Sequence, residues 1–302
     1  MKSFQELIRQ AQGHGKKRCV VVCAQDKAVL EGVRLANDLG LISPVLVGDK
    51  EKIMEIARDV QVDISLCEIH DEKDDNAALV NAISLVKEKG DFLMKGMLSS
   101  SAFLKGVLNK EWGLRTGKIL SHVATFQIPD YHKLLFMSDG GMNPVLDLKT
   151  RIEIIKNAVE ALGRIGIAHP KIALVAASET INPDMPETVD AVEIVKMNRA
   201  GKITDCTIDG PFGFDVAVSR KAASIKKIES PVAGEVDFVL MPNISAANIW
   251  AKGLIYFADT KGAGMVVGAQ RPIIMLSRAD DPATKLNSIA LGVIISKNQH
   301  QG

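Results

Sequence analysis

Three short runs in this chain gather residue types suited to anions, each just after an apolar, β-rich stretch. The first covers residues 272–282. A strand pattern ends at Ser277-Arg278, then Asp280 or Asp281 supplies an N-cap and Pro282 takes the first helical position. A hydroxyl, a guanidinium and a helix N-terminus converge there, a combination that suits phosphate. The same types also make a plain capped helix with a surface arginine. The second run, residues 209–215 (DGPFGFD), is rich in turn residues. It reads as a ligand-facing loop, or as a tight turn with Asp215 capping the next helix. The third, residues 95–101 (KGMLSSS), sets three hydroxyls and their backbone N–H groups before a helix, with Lys95 adding charge. It suits an anionic ligand or an ordinary serine N-cap.

These runs need a scaffold that brings strand ends together, and the rest of the chain supplies its pattern. Strand patterns fall at 19–24, 45–48, 64–69, 92–95, 119–126, 134–138, 172–176, 204–209, 238–242, 265–267 and 273–276. Helical patterns fall between them at 28–39, 77–89, 149–162, 186–199, 246–257 and 282–295. Such alternation predicts a parallel α/β sheet, in which ligands collect at the carboxyl ends of strands. Aromatic residues are only 4%, so the core is aliphatic, as suits strands covered on both faces. The pair 119–126 and 134–138 breaks the rhythm and reads as an antiparallel hairpin. Gly140, Gly141, Asn143 and Pro144 punctuate a plausible boundary near 139–144.

Composition removes several classes. The chain has 302 residues, enough for about two domains. Lys+Arg is 37 against Asp+Glu 36, which leaves no electrostatic footprint for nucleic acid. The first 19 residues look like an amphipathic helix rather than a secretory signal, and no apolar run is long enough to span a membrane. A cytoplasmic protein is expected. Cys19 and Cys23 lie about 13 Å apart at strand rise and cannot pair. All four cysteines read as buried thiols, and no spacing suggests a metal site. Residues 262–268 carry three glycines at the wrong spacing for a dinucleotide fingerprint. His122, in a strand pattern, reads as a core or surface histidine before a catalytic base.

Taken together, the segments resemble the phosphate acetyltransferase and phosphate butyryltransferase family. The resemblance rests on residues 137–143 (MSDGGMN), 208–215 (IDGPFGFD), 232–237 (VAGEVD), 240–248 (LMPNISAAN) and 267–272 (VGAQRP) running into Leu276-Ser277-Arg278. The runs at 93–96 (LMKG) and 113–123 (GLRTGKILSHV) fit too. Residues 177–188 and 277–280 place it nearer the butyryl branch. The resemblance implies two three-layer α/β/α domains with the active site in the cleft between them, a fold like that of isocitrate and isopropylmalate dehydrogenases. With the last strand and helix folded back, the first domain would be 1–140 with 270–302 and the second 141–269.

The implied reaction is acyl-CoA plus phosphate to acyl phosphate plus CoA, by direct transfer in a ternary complex, for butyryl-CoA or a similar short or branched chain. Coenzyme A is a co-substrate, and no bound cofactor or metal is implied. A homodimer or larger homo-oligomer is expected. In the family the serine hydroxyl meets the reacting carbonyl or thiol and the arginine binds phosphate, roles that fall on Ser277 and Arg278. Asp280 is the third catalytic candidate. Lys95, Ser99, Ser100, Arg115, Asp209, Asn243 and Asn248 are expected to bind substrate. The acetyl branch carries an Asp seven residues after the serine; here that position is Thr284, which cannot take a proton from a thiol. The base stays open, since a CoA thiol of pKa about 8.5 has a thiolate fraction that a cationic site can hold. Two other readings stand beside this one. A decarboxylating dehydrogenase would need clustered aspartates and a nucleotide site, and neither is visible. A non-catalytic acyl-CoA-binding protein draws on the Thr284 departure.

Overall fold

The computed structural model describes residues 1–65, 67–277 and 279–296. The chain divides into two compact units. One comprises Phe4–Lys118 and Ala263–Gly302, the other Met1–Ser3 and Ile119–Gly262. The boundaries thus fall at 118/119 and 262/263, not at 140/141 and 269/270. The Gly-Asn-Pro punctuation near residue 140 marks a turn inside a unit, because the strand before it is paired on both sides with strands of that unit.

The first unit opens with α1 (Phe4–Gln12), β1 (Lys17–Val22), α2 (Lys27–Asp38), β2 (Ile42–Gly48), α3 (Lys50–Asp59), β3 (Glu68–Asp71), α4 (Asp75–Glu88), β4 (Phe92–Lys95) and α5 (Ser100–Val107). The chain returns to it with β10 (Lys261–Val267), β11 (Ile273–Ile274) and α11 (Pro282–Ile295). Strands β3, β2, β1, β4 and β11 lie side by side in that order, all parallel, with β10 antiparallel to β11. Val20, Val21 and Val22 of β1 and Phe92 and Leu93 of β4 are fully buried, as in a sheet covered on both faces. Burial of each such side chain contributes about 1.5–3 kcal/mol. Five helices start at the carboxyl edge, and each has a capping side chain: Asp26, Asp49, Asp74, Ser99 and Asp281 accept from the N–H three residues on. β1 stops short of the expected 19–24 because Cys23 takes a left-handed φ of 51° and turns the chain.

The second unit contains β5 (Ser121–Gln127), β6 (Leu135–Ser138), α6 (Leu148–Arg164), β7 (Lys171–Val175), α7 (Pro186–Arg199), β8 (Thr207–Phe212), α8 (Phe214–Val218), α9 (Arg220–Ile225), β9 (Phe238–Leu240) and α10 (Ile244–Phe257). The strand order is β5-β6-β9-β7-β8. β5 and β6 form the expected antiparallel hairpin, and β6, β9, β7 and β8 run parallel. Trp250 of α10 sets its ring edge-on to Phe126 at 5.3 Å and tilted against Phe214 at 5.0 Å, anchoring α10 and α8 over the aliphatic core. The run at 209–215 differs from its expectation. Residues 209–212 belong to β8 rather than to a loop. Gly213 holds the N-cap position of α8, and Asp215 sits inside that helix, paired with Lys226.

Candidate active site

In the first unit, β4 and β11 are neighbours, with Leu93 opposite Ile273 and Met94 opposite Ile274. Their following turns therefore emerge about 5 Å apart. Strand order reverses on the other side of β4, between β1 and β4, since the chain passes from β1 outward to β2 and β3 and then returns to β4. A reversal of this kind is the expected ligand position in a parallel sheet. Carboxylates line the whole edge, with Asp26, Asp49, Asp74 and Asp75 after β1, β2 and β3 and Asp280 and Asp281 after β11, whereas the hydroxyls of Ser99, Ser100 and Ser277 follow only β4 and β11.

The turn after β4 is built by its own lysine. Lys95 is buried, and its Nζ donates to the carbonyls of Gly96 (3.1 Å) and Leu98 (3.0 Å). The ammonium thereby shapes the turn that delivers Ser99 to the start of α5. Ser99 and Ser100 are exposed; Ser99 Oγ accepts from Ala102 N at 3.2 Å. Gly96 lies so close to the chain after β1 that a Cβ would stand 2.2 Å from the Cys23 carbonyl oxygen. Only glycine allows that approach, which brings the β1 and β4 turns together. Cys23 itself donates to Asp75 Oδ1 at 3.5 Å, and burial, then the Asp75 charge, pushes its thiol up to about 12. It is not a nucleophile near neutral pH.

The turn after β11 carries Ser277. Its side chain is exposed, and its backbone N–H donates to Asp280 Oδ2 at 2.8 Å. Ser277 Oγ accepts from Ala279 N at 3.3 Å, a use of the oxygen lone pair that leaves the hydroxyl proton to donate elsewhere. Asp281, not Asp280, is the N-cap of α11 and accepts from Thr284 N at 2.7 Å. Thr284 is thus the third residue of the helix. Arg278 lies outside the described residues. Arg115 is exposed, and its carbonyl accepts from Gln270 Nε2 at 3.0 Å. Sequence reasoning passed over Lys285. It is the only cation in α11 and lies 3% exposed beneath this turn. A lone lysine in an otherwise uncharged helical run was the available signal.

The remaining expected residues lie in the second unit. Asp209 is in β8, accepts from Gly210 N at 3.0 Å and stands 3.6 Å from Arg199. Asn243 caps α10 by accepting from Ala246 N at 2.9 Å, and Asn248 donates to the Gly140 carbonyl at 3.2 Å. Asp139, also passed over in the sequence, is wholly buried. Its carboxylate accepts from Gly141 N (2.9 Å), Met142 N (2.8 Å), His122 N (3.3 Å) and Asn143 Nδ2. Among the described residues, no three His, Cys, Asp or Glu side chains are grouped to hold a metal ion.

The family model for phosphate acetyl/butaryl transferase matches residues 75–293. The chain belongs to this family. Among phosphate acetyl/butaryl transferase relatives, a phosphate butyryltransferase of Clostridium acetobutylicum is 42% identical over 300 residues, 99% of this chain and 100% of that protein. A phosphate acetyltransferase of Thermotoga maritima is 37% identical, over 97% of this chain and 99% of that one. The crystal structure of a branched-chain phosphotransacylase from Enterococcus faecalis V583 superimposes with a TM-score of 0.82 at 28% identity, covering 92% of this chain and 98% of that one. The matched span includes both serine-bearing turns of the first unit.

Proposed function

We infer that this chain transfers a short acyl group, butyryl or a similar straight or branched chain, between coenzyme A and inorganic phosphate. The observation that carries the reading is the turn after β11, in a chain matched to the family across residues 75–293: an exposed Ser277 hydroxyl with its proton left to donate, at the capped start of α11. A phosphate oxygen attacks the thioester carbonyl, the carbonyl oxygen gains charge, and the C–S bond breaks to release CoA thiolate. Ser277 donates to the developing oxyanion, where a fixed donor contributes most. The N–H ends of α5 and α11 favour the phosphate charge, and Arg278 is its proposed guanidinium partner. A thiolate of pKa about 8.5 leaves without needing an acid. The absence of a carboxylate at Thr284 therefore does not block this direction. Asp280 fixes Ser277 through the backbone N–H. Lys95, Ser99, Ser100 and Arg115 are proposed substrate contacts of the first unit. Asp209, Asn243, through its Nδ2, and Asn248 are those of the second.

The test is CoA release from acetyl-, butyryl-, isobutyryl- and octanoyl-CoA with and without phosphate. Phosphate-dependent release fastest with the four-carbon substrates is the expected result. Release that ignores phosphate would indicate a thioesterase, and tight CoA binding without turnover a non-catalytic binder.

The reading includes a cytoplasmic location, suited to its CoA substrates, and a homo-oligomer. No described helix is long and apolar enough to cross a membrane. α10 supports self-association. Only Ala247 of its 14 residues is buried, while Ile249 (72%), Tyr256 (66%) and Phe257 (91%) are exposed. Lys252 of α10 and Asp259, two residues past the end of the helix, are both exposed, and neither has a partner among the described residues. A second copy packed antiparallel about Ile255 and Tyr256 would set each Lys252 against the other copy's Asp259, the self-complementary pattern of a two-fold interface. Sedimentation should show a dimer that K252D or D259K weakens and the double swap restores. A monomer, or a dimer blind to all three variants, would refute this face.

A further inference from the structure

We infer that Lys285 is the positioning residue that holds the Ser277 turn in its working shape. The inference rests on the reading of Ser277 given above. Lys285 lies one turn into α11, and its Nζ donates to the Asp280 carbonyl. Asp280 in turn accepts the Ser277 N–H through its carboxylate. One ammonium and one carboxylate thus fix both ends of the turn from Ser277 to Asp280. The lysine stem is locked as well. It packs on Gly32 of α2, where a Cβ would stand 2.7 Å from Lys285 Cβ.

The choice of lysine here is costly in stability terms. Burial alone holds its ammonium below the usual lysine range, against the pull of Asp26, Asp280 and Asp281. The site also lies near the N-terminal ends of α2 and α11, where a cation is disfavoured. A methionine would fill the same volume without desolvating a charge. The three aspartates would not be stranded, since each already accepts a backbone N–H. What lysine supplies and methionine does not is a donor for the Asp280 carbonyl and positive charge beneath Ser277. The turn after β4 uses the same device, with buried Lys95 tied to the carbonyls that precede Ser99. Two serine-bearing turns on neighbouring strands are each braced from below by a buried ammonium.

K285M, K285Q and S277A are the variants to compare in the full-length protein. K285M should leave the Tm near that of the parent, since the lost hydrogen bond to the Asp280 carbonyl and the relief of a desolvated charge oppose each other. It should lower kcat at least about tenfold and leave both KM values within about threefold, the pattern of an interaction used in the transition state. K285Q, which keeps a donor, should recover part of kcat. A K285M kcat within about twofold of the parent would overturn the inference. So would a K285M protein that unfolds or loses activity only in step with a lowered Tm, since that marks a purely structural lysine. S277A separates the two readings. If S277A retains full activity, the assignment of Ser277 fails whatever Lys285 does; if S277A is inactive while K285M is unimpaired, only the role of Lys285 falls.

Discussion

Two turns at carboxyl ends of strands, one in each unit, solve opposite problems. The turn after β6 is organised around Asp139, whose carboxylate is completely buried and spends itself on two N–H groups of its own loop, one from β5 and the Asn143 amide. Nothing of that side chain is left for a ligand. The turn after β11 keeps its carboxylate, Asp280, only partly buried and uses it to bring forward Ser277, whose hydroxyl stays exposed. The lesson is that an acid in a glycine-rich turn is often an internal brace, whereas the presented group is the one with hydrogen-bonding capacity to spare.

Substitutions break this comparison in different observables. S277A removes the presented donor and should lower phosphate-dependent CoA release by about 10²–10³-fold, the usual cost of an oxyanion donor, with no change in Tm. An active S277A enzyme would end the distinction. D139A should do the reverse. It removes the acceptor shared by the Gly141, Met142 and His122 N–H groups and the Asn143 amide, and at about 0.5–1.5 kcal/mol for each hydrogen bond lost the denaturation midpoint should fall clearly. If D139A unfolds at the parent's denaturant concentration, the brace is not one.

Thiol chemistry sharpens the same contrast between buried and presented groups. Burial raises all four thiols, Cys23 to about 12 and Cys67 and Cys206 to about 11. The native protein at pH 8 should therefore react slowly with a chromogenic thiol reagent and yield four thiols once denatured. One fast thiol in the native state would contradict this. Cys67 is only half-buried, short of the full burial expected for it, and is the one to watch.

The smallest effect lies beside β8, where Lys226 bonds Glu179 at 2.6 Å and also pairs with Asp215. The Lys226 hydrogen bond is the main cause holding each carboxyl below its usual range. Their stabilisation is therefore complete above the ordinary carboxyl pKa of about 4 and is lost as pH falls through the lower folded values. K226M should lower Tm slightly at pH 7, and the gap should close on acidification. A gap that widened toward pH 3 would reverse the sign.

Much of this protein was legible along the chain because strand and helix periodicity are local. All eleven strand patterns and all six named helical patterns correspond to elements of the structure, β4, α7 and α11 end to end and the others with shifted ends. Ser99 as a cap, Pro282 at the first helical position and the β5–β6 hairpin follow from residue types and spacing alone. The exceptions have tertiary causes. β8 runs on through Asp209 to Phe212 because β7 offers it a partner as far as Val175, and a turn-rich composition cannot reveal a neighbour. Lys285 read as one more helical residue, since a buried ammonium is recognised only when the Asp280 carbonyl and Gly32 are seen around it. The sequence by itself determined the elements, their caps and the chemical types at strand ends. Tertiary structure decided which ends are neighbours, which acid is buried as a brace and which hydroxyl is presented, because those depend on strand order and on burial, and neither is written in any local run of residues.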